Sequence, residues 1–223
     1  MRTTLLALHG FTMNGAGLRH MMAELEPRLA PAFDVVYLDA PHTASEESVA
    51  GLAQVMGGFR PKPPNLQWWN ASEDRLVYHG WDESRAHVAR ALEGRPRVGL
   101  LGFSQGAAVA AALAAAANQG QFPALAFVVL IAGFAARARD IAPLFATPVR
   151  VPSLHVLGDA DPFAKHGPEL FERFAPDTRE LLRWPGRHVV PAEGAPADAL
   201  LEFMLRHAGP GAMAAPGPDA GRG

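Results

Sequence analysis

Val98-Gly-Leu-Leu-Gly-Phe-Ser-Gln-Gly-Ala-Ala-Val109 is the stretch from which the rest of the chain can be read. Its apolar start reads as a buried strand. Gly102-Phe103-Ser104-Gln105-Gly106 reads as a tight turn, and Ala107 to Asn118 as an alanine-rich helix. A G-x-S-x-G on a strand–turn–helix corner is a nucleophile elbow, with the serine hydroxyl projected from the edge of a sheet. Glycines flank it because strand and helix pass too closely there for a Cβ. The helix that follows aims its first N–H groups at the place where negative charge develops on a reacting carbonyl oxygen.

Outward from the elbow, apolar runs alternate with helix-like segments. Strands are expected at Thr3 to Leu8, Phe33 to Leu38, Leu125 to Ile131, Ser153 to Leu157 and Arg179 to Trp184. Helices are expected at Leu18 to Leu29, Trp81 to Leu92, Lys165 to Phe174 and Ala197 to His207. This alternation predicts an α/β chain with a doubly wound, mostly parallel sheet of about six strands and helices on both faces. Residues 1–208 form one domain in this reading, and 209–223, rich in Gly, Pro and Ala, a disordered tail. Residues 43–80 break the rhythm with Gly57-Gly58, Pro61, Pro63-Pro64 and Trp68-Trp69, and read as an irregular lid-like or pocket insertion.

Composition narrows the function classes. The chain has 223 residues, 49% of them hydrophobic, enough for one sizeable core. A formal net charge of -2 gives no electrostatic footprint for nucleic acid or an anionic membrane. The absence of cysteine excludes disulfides, thiol nucleophiles and thiolate metal sites. No charged residue or histidine lies between Arg97 and Arg137, but glycines, Asn118-Gln119 and Pro123 interrupt that run, so it reads as the sheet centre and not a membrane span. The N-terminal apolar run is too short for a secretory leader, which makes the cytoplasm the expected compartment. The histidines are scattered, with no metal-ligand spacing, and no cofactor is expected.

Five positions follow the C-terminal ends of expected strands: His9-Gly10, Asp39, Ser104, Asp161 and His188. In an open parallel sheet those ends share one rim, where ligands bind. Ser104, Asp161 and His188 also come in the chain order Ser…Asp…His. A serine hydroxyl is a weak nucleophile unless a base takes its proton, and the base needs an orienting carboxylate. His188 is the expected base and Asp161 its partner; Asp159 competes for that role but reads as turn chemistry. The expected oxyanion hole is the backbone N–H of Phe11 with that of Gln105. Because an imidazolium cannot accept a proton, activity should fall in acid. His42 sits near the rim as a candidate substrate contact, and Trp68, Trp69 and Trp81 are candidate walls of an acyl pocket. His9 reads as a loop-shaping residue.

Leu8-His-Gly-Phe-Thr-Met-Asn-Gly15, Asp39-Ala-Pro-His42, Gly102-Phe-Ser-Gln-Gly106, His155-Val-Leu-Gly-Asp-Ala-Asp-Pro162 and Pro185-Gly-Arg-His-Val-Val-Pro191 together resemble the FSH-type serine hydrolases. That family includes fungal serine hydrolases and the ovarian-tumour-associated hydrolase, and is similar to the wider carboxylesterase/lysophospholipase group. The resemblance spans about residues 3 to 207. It implies an α/β-hydrolase fold, no cofactor, and hydrolysis of a small-molecule carboxylic ester or thioester. Position by position it implies Ser104, Asp161 and His188 as the triad, and Phe11 with Gln105 as the oxyanion hole. Arg187 departs from the pattern, standing where a second glycine is common, and the Pro/Trp-rich insertion has no close match. Alternatives are a lysophospholipase, a peptidase-type hydrolase, or a non-catalytic binding protein on the same fold.

Overall fold

The computed structural model describes residues 2–209; the expected tail therefore lies almost wholly outside the described residues. In chain order the elements are β1 (Thr3–Leu8), α1 (Gly15–Met21), α2 (Glu26–Leu29), β2 (Phe33–Leu38), β3 (His42–Thr43) and α3 (Glu46–Val55). Then come β4 (Leu66–Gln67), β5 (Asn70–Ala71), β6 (Tyr78–His79), α4 (Trp81–Leu92), β7 (Val98–Phe103) and α5 (Gln105–Asn118). The chain closes with β8 (Phe127–Ile131), β9 (Ser153–Gly158), α6 (Gly167–Phe171), β10 (Arg179–Trp184) and α7 (Gly194–His207).

Six strands form one sheet in the order β10-β9-β8-β7-β1-β2, every neighbouring pair parallel. The central strands are buried on both faces. Along β1, Leu6 and Leu8 pack on one side with α4 and α5, while Leu5 and Ala7 pack on the other with α1, α2 and α7. That two-sided burial explains why these strands read as unbroken apolar runs. The edge strand β10 carries Arg179, Glu180 and Arg183. Arg206 holds Glu180 at 2.7 Å, so charge guards an otherwise open edge.

The chain leaves β1 toward β2, then returns across the sheet to β7 on the other side of β1. Strand order reverses between β1 and β7, and a doubly wound sheet opens a crevice at that point, outside the carboxyl ends of the strands. The loop after β1 contains Phe11, and the corner after β7 contains Ser104.

Two expected helices are interrupted. Leu18 to Leu29 is split into α1 and α2, with Pro27 in the first turn of α2. The segment from Lys165 likewise divides into a short 3-10 turn over Ala164–His166 and α6, where Pro168 takes a first-turn position. The insertion is more regular than its composition implies. Ser45 caps α3 by accepting the Ser48 N–H at 3.1 Å, and Val49 and Ala53 turn inward one helical turn apart. Two short antiparallel ribbons, β3–β4 and β5–β6, complete it.

Candidate active site

Ser104 occupies the corner between β7 and α5 with φ 55° and ψ -115°, a backbone conformation that L residues adopt at a cost of roughly 1–3 kcal/mol. The neighbours hold it there. Its N–H donates to the Ile131 carbonyl at 2.9 Å, and its own carbonyl accepts from Ala107 at 3.0 Å. A Cβ on Gly102 would strike the Gly106 carbonyl and the Ala107 backbone, and one on Gly106 would strike the Leu8 carbonyl. The two glycines therefore let β1, β7 and α5 close on one point. Alanines supply the rest of that closeness, since residues 105 to 116 of α5 are all buried.

Asp161 and His188 meet on the same rim. His188 Nδ1 lies 2.7 Å from Asp161 Oδ2, and both side chains are buried. The other carboxylate oxygen, Oδ1, accepts the Phe163 N–H at 2.7 Å. A hydrogen on Nδ1 for this contact leaves Nε2 as the ring nitrogen able to take a proton. The acid and histidine loops are tied together: Asp159 N–H donates to Trp184 O at 2.8 Å and Ala160 N–H to Gly186 O at 2.9 Å. Gly158 permits this approach, because a Cβ there would press on the Gly186 carbonyl. Asp159 itself turns outward to Arg183 at 3.0 Å, which separates the two candidate acids. Arg187 is exposed and lines neither cavity described below.

Two cavities converge on Ser104 and His188. One, of about 500 Å³, is walled by Trp69, Tyr78, Phe134, Phe163 and His166 among others. The second, of about 290 Å³, is walled chiefly by methionine and phenylalanine side chains. Phe11 borders both, and Gln105 borders the larger. Neither the Phe11 nor the Gln105 backbone N–H donates to a protein acceptor among the described residues. Gln105 is the first residue of α5, whose opening N–H groups have no intrahelical acceptor, and both residues border the cavity.

The tryptophans separate into different roles. Trp69 lines the larger cavity, stacked on Tyr78 at 4.6 Å between ring centroids. Trp68 does not reach it: the ring is fully buried against His9, and its Nε1 donates to the His9 carbonyl at 2.9 Å. Trp81 stands behind Trp69 in an edge contact at 5.8 Å and also lies outside the cavity. His42 is likewise removed from it, with Nε2 bonded at 2.9 Å to the Gly80 carbonyl, the residue that opens α4. Sequence spacing places all four near the rim but cannot say which way each ring turns.

The Gln105 side chain, the loop-shaping His9 and the rim residue Asp39 build the frame of the site, together with Asn65 and Leu66, which the sequence did not single out. The Gln105 side chain accepts the Trp68 N–H at 2.9 Å and donates to the Trp69 carbonyl at 3.0 Å. His9 Nε2 accepts the Ala40 N–H at 2.9 Å, so its Nδ1 is the protonated nitrogen and donates to the Gly10 carbonyl at 2.8 Å. Burial holds the His9 pKa below the usual histidine value, which keeps this neutral arrangement. Gly10 O and Phe11 N belong to one peptide unit, so fixing the carbonyl aims the N–H. Asp39 accepts the Gly15 N–H at 2.6 Å. The insertion is stitched to the same loop by Leu66 N–H to Met13 O at 2.9 Å and Asn65 Nδ2 to Thr12 O at 2.7 Å. Among the described residues no cluster of His, Asp or Glu is arranged to hold a metal ion, and no helix is long and apolar enough to cross a membrane.

A model of the family described as Serine hydrolase (FSH1) matches residues 1–199. The chain belongs to that family. Among curated proteins it is similar to Esterase OVCA2 of Mus musculus, 33% identical over 214 residues, covering 89% of this chain and 94% of the relative. Esterase OVCA2 of Homo sapiens is 32% identical over 215 residues with the same coverage, 89% and 94%. Among solved structures, acyl-protein thioesterase 2 of Zea mays superposes with a TM-score of 0.68 at 24% identity, covering 93% of this chain and 94% of that one. Esterase PE8 superposes with a TM-score of 0.66 at 18% identity, covering 92% and 93%. At these identities the superpositions speak for the fold alone, which is that of the α/β-hydrolases. Family and fold together make this FSH1 member a hydrolase of the esterase type.

Proposed function

We propose that this FSH1-family chain is a cytoplasmic serine esterase or thioesterase that cleaves small-molecule acyl substrates through Ser104, His188 and Asp161. The 2.7 Å contact between His188 Nδ1 and Asp161 Oδ2, on the cavity that Ser104 borders, carries this reading. His188 Nε2 takes the proton of the Ser104 hydroxyl as Oγ attacks the carbonyl carbon. Asp161 keeps the ring in the Nδ1–H tautomer and stabilises the imidazolium that forms. The unpaired N–H groups of Phe11 and Gln105 receive the developing oxyanion; removing one such donor typically raises the barrier by roughly 2.7–4 kcal/mol. His188 then protonates the leaving oxygen or sulfur, and water repeats the sequence to free the acid from Ser104.

The test is the initial rate on p-nitrophenyl esters of increasing acyl length, for wild type and Ser104→Ala. Wild type should show a length optimum, and the variant should lose at least about a thousandfold in kcat while keeping its fold. Equal rates in the two proteins would sink the proposal. So would a wild-type enzyme that neither turns over any ester nor labels with a fluorophosphonate.

A further inference from the structure

We infer that the cleft takes a two-part substrate, with a hydrocarbon arm on one side of the scissile carbonyl, an anionic group on the other, and Arg75 binding the anion. This rests on the esterase reading and assigns it a substrate class. The two cavities differ in chemistry although they share Ser104 and His188. The 290 Å³ arm is faced by Met13, Met21, Met56, Phe59 and Phe103, with no carboxylate, lysine or arginine in its wall. Such a pocket favours saturated hydrocarbon, at roughly 0.8 kcal/mol per buried methylene. Phe59 and Val189 on its border are themselves exposed. The 500 Å³ arm includes Arg75 and His166, and no aspartate or glutamate lines it.

Arg75 sits in the turn between β5 and β6 with φ 59°, a conformation that costs a non-glycine residue about 1–2 kcal/mol. Other groups hold the turn. Ser72 N–H donates to Val77 O at 2.9 Å, Arg75 N–H to Ser72 O at 2.9 Å, and Asp74 Oδ1 accepts from Leu76 N at 3.0 Å and Ser72 Oγ at 2.6 Å. Asp74 is thereby engaged by the turn's own donors. Arg137, Arg173, Arg179, Arg183 and Arg206 all hold carboxylates, but the Arg75 guanidinium makes no ion pair or side-chain hydrogen bond among the described residues. It is an exposed, uncompensated positive charge bordering a chamber whose wall contains no negative one, and a planar guanidinium suits a carboxylate or phosphate oxygen pair. The reaction is ordinary hydrolysis. The acyl carbon–oxygen bond breaks, one water is consumed, and the acid, the hydroxyl product and a regenerated Ser104 remain.

The probe pair is 4-(octanoyloxy)benzoate and its neutral methyl ester, compared in wild type, Arg75→Gln and Arg75→Lys. The ratio of kcat/KM for the anionic over the neutral ester should fall about five- to tenfold in Arg75→Gln, mostly through KM. Rates on the neutral ester should stay within about twofold, and Arg75→Lys should keep most of the preference. Raising the salt from 0.05 to 0.5 M should lower the wild-type ratio and leave that of Arg75→Gln flat. A ratio unchanged by Arg75→Gln, or an equal loss on both esters, overturns the role of Arg75 while the esterase reading stands. No Ser104-dependent turnover of either ester overturns both. For the hydrocarbon arm, Met56→Trp should shorten the preferred acyl chain in the p-nitrophenyl series; an unmoved optimum refutes that half.

Discussion

His155 offers a quantitative test of the fold from a single buried ring. It lies in β9, 2% exposed, with Phe171 and Phe174 edge-on at 5.1 and 4.8 Å. Its Nε2 has no hydrogen-bond partner among the described residues. Burial, helped by the positive charge of Arg179, pushes its pKa down from 6.5 to about 3. The sign follows from proton counting. Above pH 6.5 the ring is neutral in both the folded and the unfolded chain, and its contribution to stability is complete. As the pH falls toward 3 the unfolded chain binds a proton that the folded one refuses, so stability is lost. Each pH unit removes about 1.4 kcal/mol, so at pH 4.5 the loss is on the order of 2–3 kcal/mol relative to neutral pH. His155→Leu abolishes that titration. The lost ring contacts shift its stability equally at both pH values. Urea unfolding, followed by tryptophan fluorescence at pH 7.5 and 4.5, should give a smaller acid loss in the variant by about 2–3 kcal/mol. Identical losses in the two proteins would refute the reasoning.

Two further substitutions probe the elbow and its frame. Gly106→Ala drives a methyl group into the Leu8 carbonyl, where only backbone can yield; it should cost about 1–3 kcal/mol, a melting shift of about 2–4 °C per kcal/mol, together with most of the turnover. Unchanged melting and activity would show that β1 and α5 do not approach so closely. Gln105→Ala strips the partners from the buried Trp68 N–H and Trp69 carbonyl, and should destabilise by about 2–4 kcal/mol. Because Trp69 walls the cavity while the backbone N–H of residue 105 survives, KM should rise more than kcat falls. A pure kcat effect would contradict that division.

Much of this arrangement is legible in the sequence. The bounds of β1, β2, β10 and α4 coincide with the expected ones, since continuous apolar runs and a clear helical period leave little room for another reading. The rim position of Phe11, Ser104, Asp161 and His188 follows from strand ends alone. The failures are as specific. Pro27 and Pro168 divide helices whose apolar spacing runs straight through them. Helix α3 is hidden because Gly57-Gly58 and the following prolines colour the whole insertion, although Ser45 with Val49 and Ala53 is a readable signal. The orientation of Trp68, Trp81 and His42 depends on bonds to distant backbone, which no local pattern encodes. Arg75 has no sequence signal, because its place in the cavity is set by a turn that composition leaves unmarked.

The meeting of two chambers at one serine bears on the order in which the halves of a cleaved molecule depart. If an ester is cleaved at Ser104 as proposed, each fragment would already lie in its own chamber, since both chambers border Ser104 and His188. The released fragment would then not have to pass the one still attached to the protein. The emptied side would become the path by which water reaches the remaining bond. Such a site would work as a through-passage, its slow step open to change from either chamber without touching the serine.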